Sequence, residues 1–291
     1  MDSRIEQLLE ALLSGQTVDI TPQSRNEAYL LAMINGDTDV PEPRTRAEAY
    51  FYALAKNGAG GGGGEPGGAD HTNEDGLITG TLTEYTNDRV EQIRESLFEG
   101  FPLTKITLNN VVDCQQYAFE KCAELKEVNM PNLERFGSSC FYGCTSLEYI
   151  NFPKLTSRLN SPNQTSEFYN CTSLKQCLIP NYGAALCSMF NGCSNLELVE
   201  VGGIGLNASS SYAKAFNNCA KLTTLIFRSA TMIALPNMSH FNGTPFASGG
   251  TGGTVYVPAA LIEQYQTATN WSTLYTAGTC NFVAIEGSEY E

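Results

Sequence analysis

From Leu97 to Phe227 the apolar residues of this chain return in one register. The strictest form is Phe-x-x-Cys-x-x-Leu-x-x-Val-x-Met, running from Phe119 to Met130. Phe141, Cys144, Leu147, Ile150 and Phe152 repeat it, followed by Phe168, Cys171, Leu174, Cys177 and Ile179. Phe190, Cys193, Leu196, Val199 and Val201 come next, then Phe216, Cys219, Leu222, Leu225 and Phe227. A weaker copy, Leu97, Gly100, Leu103, Ile106 and Leu108, precedes them. The phenylalanines lie 22, 27, 22 and 26 residues apart, a spacing at which each copy is one coil of a solenoid. The predicted strands are 103–108, 125–130, 147–152, 174–179, 196–201 and 222–227, with positions 1, 4 and 6 of each pointing inward. Pro131, Pro153 and Pro180 close three of them, because proline cannot continue a hydrogen-bonded ladder. One strand per coil makes a parallel sheet of short strands. After Phe227 the pattern loosens through a vestigial His240-Phe241-Asn242-Gly243 and a loop from Gly249 to Gly253. Thr254 to Val257 is the expected last strand, Pro258 opens a helix to about Ala268, and Trp271 is expected to pack that helix on the end of the stack.

The first 58 residues carry a different period, of 21. Ser3-Arg-x-Glu6, Ser24-Arg-x-Glu27 and Thr45-Arg-x-Glu48 each open a unit, and the hydroxyl and the carboxylate three residues on can cap the first helical turn reciprocally. Leu8, Leu9, Leu12 and Leu13 follow the first, Tyr29, Leu30, Met33 and Ile34 the second, Tyr50, Phe51, Leu54 and Ala55 the third. Each set falls on one helical face. Gly15, Gly36 and Asn57-Gly58 end the units. Helices of about 11 residues are marginal alone, so these faces must bury against one another, against other copies, or against a partner. This is read as a docking or oligomerisation module with Leu9, Leu12, Tyr29, Leu30, Met33, Tyr50, Phe51 and Leu54 as anchors; an ordinary three-helix mini-domain is the alternative. Residues 59–76 form a Gly-rich linker, which lacks the Lys-Ser/Thr and preceding strand of a phosphate-binding loop. The chain thus divides into a helical module (1–58), the linker (59–76), a solenoid (77–253) and a cap of strand, helix and Trp271 (254–291). The fold class is an α+β solenoid.

The outward strand positions bear on function. Lys126, Glu148, Lys175 and Glu197 alternate in sign from coil to coil and are expected to form an ion ladder. The columns beside them turn apolar toward the carboxy end. Tyr149, Leu178, Leu198 and Ile226, with Glu200, form a candidate contact patch, or core if loops cover that face. Two coils are lengthened, near Ser157–Thr165 and Gly202–Ser211, and insertions in a solenoid gather on one side, often the binding side. Their polar residues Asn160, Asn163, Gln164, Asn207 and Ser209 are candidate hydrogen-bonding groups for sugar or protein; neutral insertions are the competing reading.

Charge narrows the partners. The formal net charge is −14, with 11 acidic and 5 basic residues in 1–70 and 20 and 12 in the rest. Acidity spread this way excludes phosphate-backbone binding as a main activity, so no nucleic acid is expected, nor an anionic membrane surface. No apolar run approaches the ~20 residues of a spanning helix, so no membrane insertion is expected. The start, Met1-Asp2-Ser3-Arg4-Ile5-Glu6, lacks the apolar core of a secretory signal. Ten cysteines are many, but five (Cys122, Cys144, Cys171, Cys193, Cys219) share one repeat position, as a column of buried thiols would. Coil spacing of about 4.8 Å would also permit disulfides. Cys140 holds the small-residue slot of Ala118 and Ala215. There is no Cys-x-x-Cys, no Gly-x-Ser-x-Gly and no His-Glu-x-x-His, so no metal, cofactor or enzymatic activity is expected. The two histidines, His71 and His240, read as solvated or packed. Glu197 and Glu200 share a strand but point to opposite faces, against a glycosidase pair.

The run Ala118-Phe119-Glu-Lys-Cys122-Ala-Glu-Leu125-Lys-Glu-Val128-Asn-Met130-Pro131 resembles the repeat of BspA-like leucine-rich repeat proteins. The ending Val255-Tyr256-Val257-Pro258, Tyr265 and Thr269-Asn270-Trp271-Ser272 resembles the closing segment of such proteins from Firmicutes and their phages. The resemblance implies a leucine-rich repeat-type coil without catalytic residues, in proteins that are adhesins and surface or virion interaction proteins. The period-21 module resembles leader segments of phage structural proteins. Together these imply a virion-associated adhesin: residues 1–58 on virion protein and self-associating as a homo-oligomer, the solenoid on a bacterial-surface glycan or protein. A structural decoration protein and a bacterial cell-surface adhesin are the alternatives.

Overall fold

The computed structural model describes Ala28, Leu31 and residues 83–159, 166–203, 205–206 and 214–291. The chain divides into two units, 1–67 and 68–291. In the first, Ala28 and Leu31 are helical and Leu31 is buried; the rest of the predicted three-helix module, and its anchor residues Leu9, Leu12, Tyr29, Leu30, Met33, Tyr50, Phe51 and Leu54, lie outside the described residues.

The second unit is a right-through stack of coils with all strand pairs parallel. One side of the stack carries β1 (Glu84–Thr86), β3 (Lys105–Thr107) and β5 (Glu127–Asn129), then β7 (Tyr149–Asn151), β9 (Gln176–Ile179), β10 (Leu198–Val201), β11 (Thr224–Phe227), β12 (Gly253–Val257) and β13 (Cys280–Ala284). The first three form one sheet and the other six a second, ordered β13-β12-β11-β10-β9-β7. A separate ladder of two-residue strands joins β2 (Gln92–Ile93), β4 (Asp113–Cys114), β6 (Arg135–Phe136) and β8 (Ser157–Arg158). After β12 a short 3-10 turn (Ala259–Leu261) leads into α1 (Ile262–Thr267) and α2 (Trp271–Thr276).

The predicted inward positions form the core, except Val128, which is half-buried. Leu125, Met130, Leu147, Ile150, Phe152, Leu174, Cys177, Ile179, Leu196, Val199, Val201, Leu222, Leu225 and Phe227 are all buried. The strands themselves start about two residues later than expected, because the first position closes the preceding turn: the Leu125 amide donates to Cys122 O at 3.1 Å, and Leu147 to Cys144 O at 3.2 Å. Thr254–Val257 is a strand but not the last; β13 follows it. The β2-β4-β6-β8 ladder was not foreseen, since two residues carry no period to detect.

Two columns hold the coils together. Phe98, Phe119, Phe141, Phe168, Phe190, Phe216 and Phe241 stack with ring centroids 5.2–5.7 Å apart and planes within 11°, the offset arrangement aromatic rings prefer. Beside it runs the thiol column. Cys122 Sγ donates to Phe98 O at 2.9 Å, Cys144 to Phe119 O at 3.2 Å, Cys171 to Phe141 O at 3.1 Å, Cys193 to Phe168 O at 3.0 Å and Cys219 to Phe190 O at 3.0 Å. The carbonyls of Phe119, Phe141, Phe168 and Phe190 also accept the cysteine amide of their own coil. One thiol therefore fills a core position and supplies a second bond to a buried carbonyl. All ten cysteines are buried thiols outside any disulfide. Burial pushes the Cys122 and Cys171 thiols up to about 12 and raises Cys144, Cys193 and Cys219 as well. Between each Phe and its Cys, the residue next to the cysteine has left-handed backbone: Lys121, Gly143, Asn170, Gly192 and Asn218 have φ of 59, 72, 57, 82 and 61°. Glycine and asparagine suit this conformation and lysine does not.

Candidate functional site

The outer face of the sheet side is where the candidate contact residues converge, and the structure divides them. Tyr149 is 54% exposed. Leu178 and Leu198 are half-buried in β9 and β10. Glu200 and Ile226 are not on the surface: they are 9% and 1% exposed. The carboxy-terminal turn is what changes their environment. Glu200 pairs with Arg228, Arg228 donates to Tyr290 O at 2.6 Å, and the Tyr290 ring meets Tyr256, the register neighbour of Ile226, at 4.6 Å. The open patch is therefore Tyr149 with the edges of Leu178 and Leu198, while Ile226 follows the core alternative and Glu200 leaves the candidate surface. The ion ladder is also partial. Lys175 meets Glu148 at 2.6 Å, whereas Lys126 and Glu197 form no ion pair among the described residues. A pair one column over, Lys105–Glu127 at 2.7 Å, was not foreseen. Both are surface pairs, screened by solvent, and contribute little to stability.

Tyr149 stands at a discontinuity. β5 pairs only with β3 and β7 only with β9, so the outer sheet parts between them. The same two coils remain joined elsewhere: Phe119 and Phe141 stack, the Ser146 amide donates to Ala123 O at 3.1 Å, and Lys154 Nζ donates to Asn132 Oδ1 at 2.7 Å. The parting is a local slot. Its signature is Val128, half-buried where Ile106, Ile150, Cys177, Val199 and Leu225 are fully buried. Exposed Lys126, Glu127, Asn129, Tyr149 and Asn151 border it. Lys175 Nζ lies 5.5 Å from the Tyr149 ring centroid, a cation–π contact that holds one ring face.

The loop candidates Asn160, Asn163, Gln164, Asn207 and Ser209 lie outside the described residues. The root of the first insertion is described, and it is built on a buried ion pair. Arg158 Nε donates to Glu167 Oε1 at 2.7 Å, and Nη2 donates to Tyr182 Oη at 2.8 Å and Ala185 O at 3.1 Å. The Arg158 and Glu167 side chains are 5% and 0% exposed. Burial raises the Glu167 carboxyl and the adjacent Arg158 charge partly restores it. The signal was in the sequence: Glu167 occupies the inward slot that Ala118, Cys140, Met189 and Ala215 hold in other coils, and a charge there requires a partner. His240 is packed, its Nδ1 accepting the Ala215 amide at 3.2 Å. Among the described residues no His, Cys, Asp and Glu group is arranged to hold a metal, and no helix is long and apolar enough to cross a membrane.

A family model for the BspA type leucine-rich repeat region, in six copies, matches residues 81–174 and 163–244, more than half of the chain. The chain belongs to the BspA-type leucine-rich repeat family. Solved structures to which the chain is similar include a leucine-rich cell surface protein from Faecalibacterium prausnitzii A2-165 (20% identity, TM-score 0.40, 55% of this chain and 51% of that one). A leucine-rich repeat protein of T. pallidum matches at 20% identity and TM-score 0.37, over 50% of this chain and 79% of that one. A leucine-rich repeat protein from Bacteroides ovatus ATCC 8483 matches at 22% identity and TM-score 0.34, over 70% of this chain and 66% of that one. The chain spans about half the length of the F. prausnitzii protein. No curated protein matches it.

Proposed function

We propose that this BspA-type repeat protein is a non-enzymatic, virion-associated adhesin. In this reading residues 1–58 dock on virion protein as a homo-oligomer, residues 59–76 give reach, and the solenoid contacts a bacterial-surface glycan or protein. The observation that carries the binding half is Tyr149, a large aromatic residue 54% exposed on a rigid strand and surrounded by paired charges. A free-standing core has no use for it, and exposed aromatics on rigid elements are typical anchors of contact surfaces. The attachment half is supported by the order of sequence patterns, the period-21 segment, the Gly-rich stretch, then the repeats. The test is direct. Fluorescently labelled full chain is mixed with cells of candidate host strains, and purified phage particles from the same source are analysed by mass spectrometry. Saturable cell binding and presence of the chain in particles are expected. Particles without the chain would move it to the bacterial surface; absence of saturable binding to cells would remove the adhesin role.

A further inference from the structure

Resting on that binding role, we propose that the slot between β5 and β7 is a glycan site, with Tyr149 as the platform on which a neutral pyranose ring stacks. The chemistry around the slot selects the ligand class. Glu127 is neutralised by Lys105 at 2.7 Å and Glu148 by Lys175 at 2.6 Å, which leaves Lys126 as the one bordering charge outside an ion pair among the described residues. What remains are uncharged hydrogen-bonding groups: the amides of Asn129, Asn151 and Gln176, with Lys126 as an added donor. Among the described residues, Asn129 Nδ2 makes one long bond, 3.5 Å to Asn109 Oδ1. One exposed ring, with only the half-buried edges of Leu178 and Leu198 beside it and amides at its border, is a poor match to a protein-binding centre, which needs several aromatic or aliphatic anchors in a water-excluded core. It is a good match to a sugar, whose axial C–H groups carry partial positive charge toward the negative face of an aromatic ring while its hydroxyls bond to amides at the rim. Lys175 lies over one face of the ring, which leaves the other for a ligand to stack on. The strands part here, and Val128 is half-exposed beside them.

The experiment uses the full chain and neutral hexasaccharides as probes: maltohexaose, cellohexaose, mannohexaose and chitohexaose, each to about 10 mM, in the weak range expected of a single stacking site. Binding is read by saturation-transfer difference NMR and titration calorimetry. Stacking on an open ring tolerates stereochemistry, so at least one probe is expected to bind, with saturation strongest on ring C–H protons. Tyr149→Ala is expected to weaken binding about tenfold or more, as loss of an aromatic anchor does, and Tyr149→Phe to retain it, since stacking does not need the hydroxyl. An unchanged melting transition shows that Tyr149→Ala remains folded. Failure of all four probes, or equal binding by Tyr149→Ala, overturns the glycan site. If Tyr149→Ala loses cell binding while no probe binds, the patch is a protein contact: this inference falls and the adhesin reading stands. If cell binding persists in Tyr149→Ala, the slot is not the site, again without loss of the broader role.

Discussion

Phe190→Ala tests the organisation of the stack most directly. Phe190 is fully buried. Its ring lies 5.7 Å from Phe168 and 5.7 Å from Phe216, with interplanar angles of 6° and 3°. Truncation removes a buried aromatic side chain and leaves a cavity that the two flanking rings cannot fill without leaving their rotamers. Buried aromatic truncations cost about 3–5 kcal/mol. The two lost ring pairs, about 0.5–1.5 kcal/mol each, are part of that figure. A second consequence follows from the one-dimensional coupling of coils. Each coil is stabilised by its neighbours alone, so weakening the contact at Phe190 uncouples the coils before it from those after it. Urea unfolding of the full chain, followed by far-UV circular dichroism and by Trp271 fluorescence, reads both effects. Trp271 reports the carboxy end, where it is fully buried against Phe241 and Phe282. The two probes should show separate transitions in Phe190→Ala, displaced from each other further than in the parent protein. Phe190→Leu, which refills most of the volume, should cost less than half as much. A loss under about 1 kcal/mol for Phe190→Ala would refute the view that the phenylalanine column is the structural axis.

Three further outcomes are expected. Arg158→Met should destabilise the fold by about 3–5 kcal/mol by leaving Glu167 buried without its partner, and the double change Arg158→Met, Glu167→Leu should recover most of the loss in chemical denaturation. Raising the pH should weaken the protein. The Cys122 and Cys171 thiols are held near 12 when folded against 9.0 for the free group, so their stabilisation is complete below pH 9 and is lost between about 9 and 12 as the unfolded chain ionises first. The slope is at most about 1.4 kcal/mol per pH unit per thiol, measurable as a falling urea midpoint; a flat profile to pH 10.5 would contradict thiol burial. Gly143→Ala should cost about 1 kcal/mol from its φ of +72° alone, since the added Cβ meets nothing nearer than Lys121 Cγ at 3.7 Å, and thermal melts of the two proteins check it.

Much of this architecture was legible in the amino-acid order, and the reason is geometric. Every coil must place the same side chains toward the same axis, so Phe119, Phe141, Phe168, Phe190 and Phe216, and the cysteines three residues after each, announce both the period and the core. The positions that point inward along each strand follow from the two-residue alternation of extended chain. Even Lys121, Gly143 and Asn170 could be aligned, although only the backbone angles explain why glycine and asparagine recur there. The amino-acid order thus records the relations that repeat from coil to coil. The tertiary structure decided the relations that do not repeat. Glu200 and Ile226 hold outward positions, yet Arg228 and Tyr290 bring a turn from more than sixty residues away against that face. Cys280–Ala284 adds a strand because β12 offers an unpaired edge, and no local pattern records that edge. Arg158 reaches Glu167, Tyr182 and Ala185 O across two coils. The parting of β5 from β7 beside Tyr149 depends on how two coils settle against each other, a balance of packing over the whole stack that no single stretch of residues encodes.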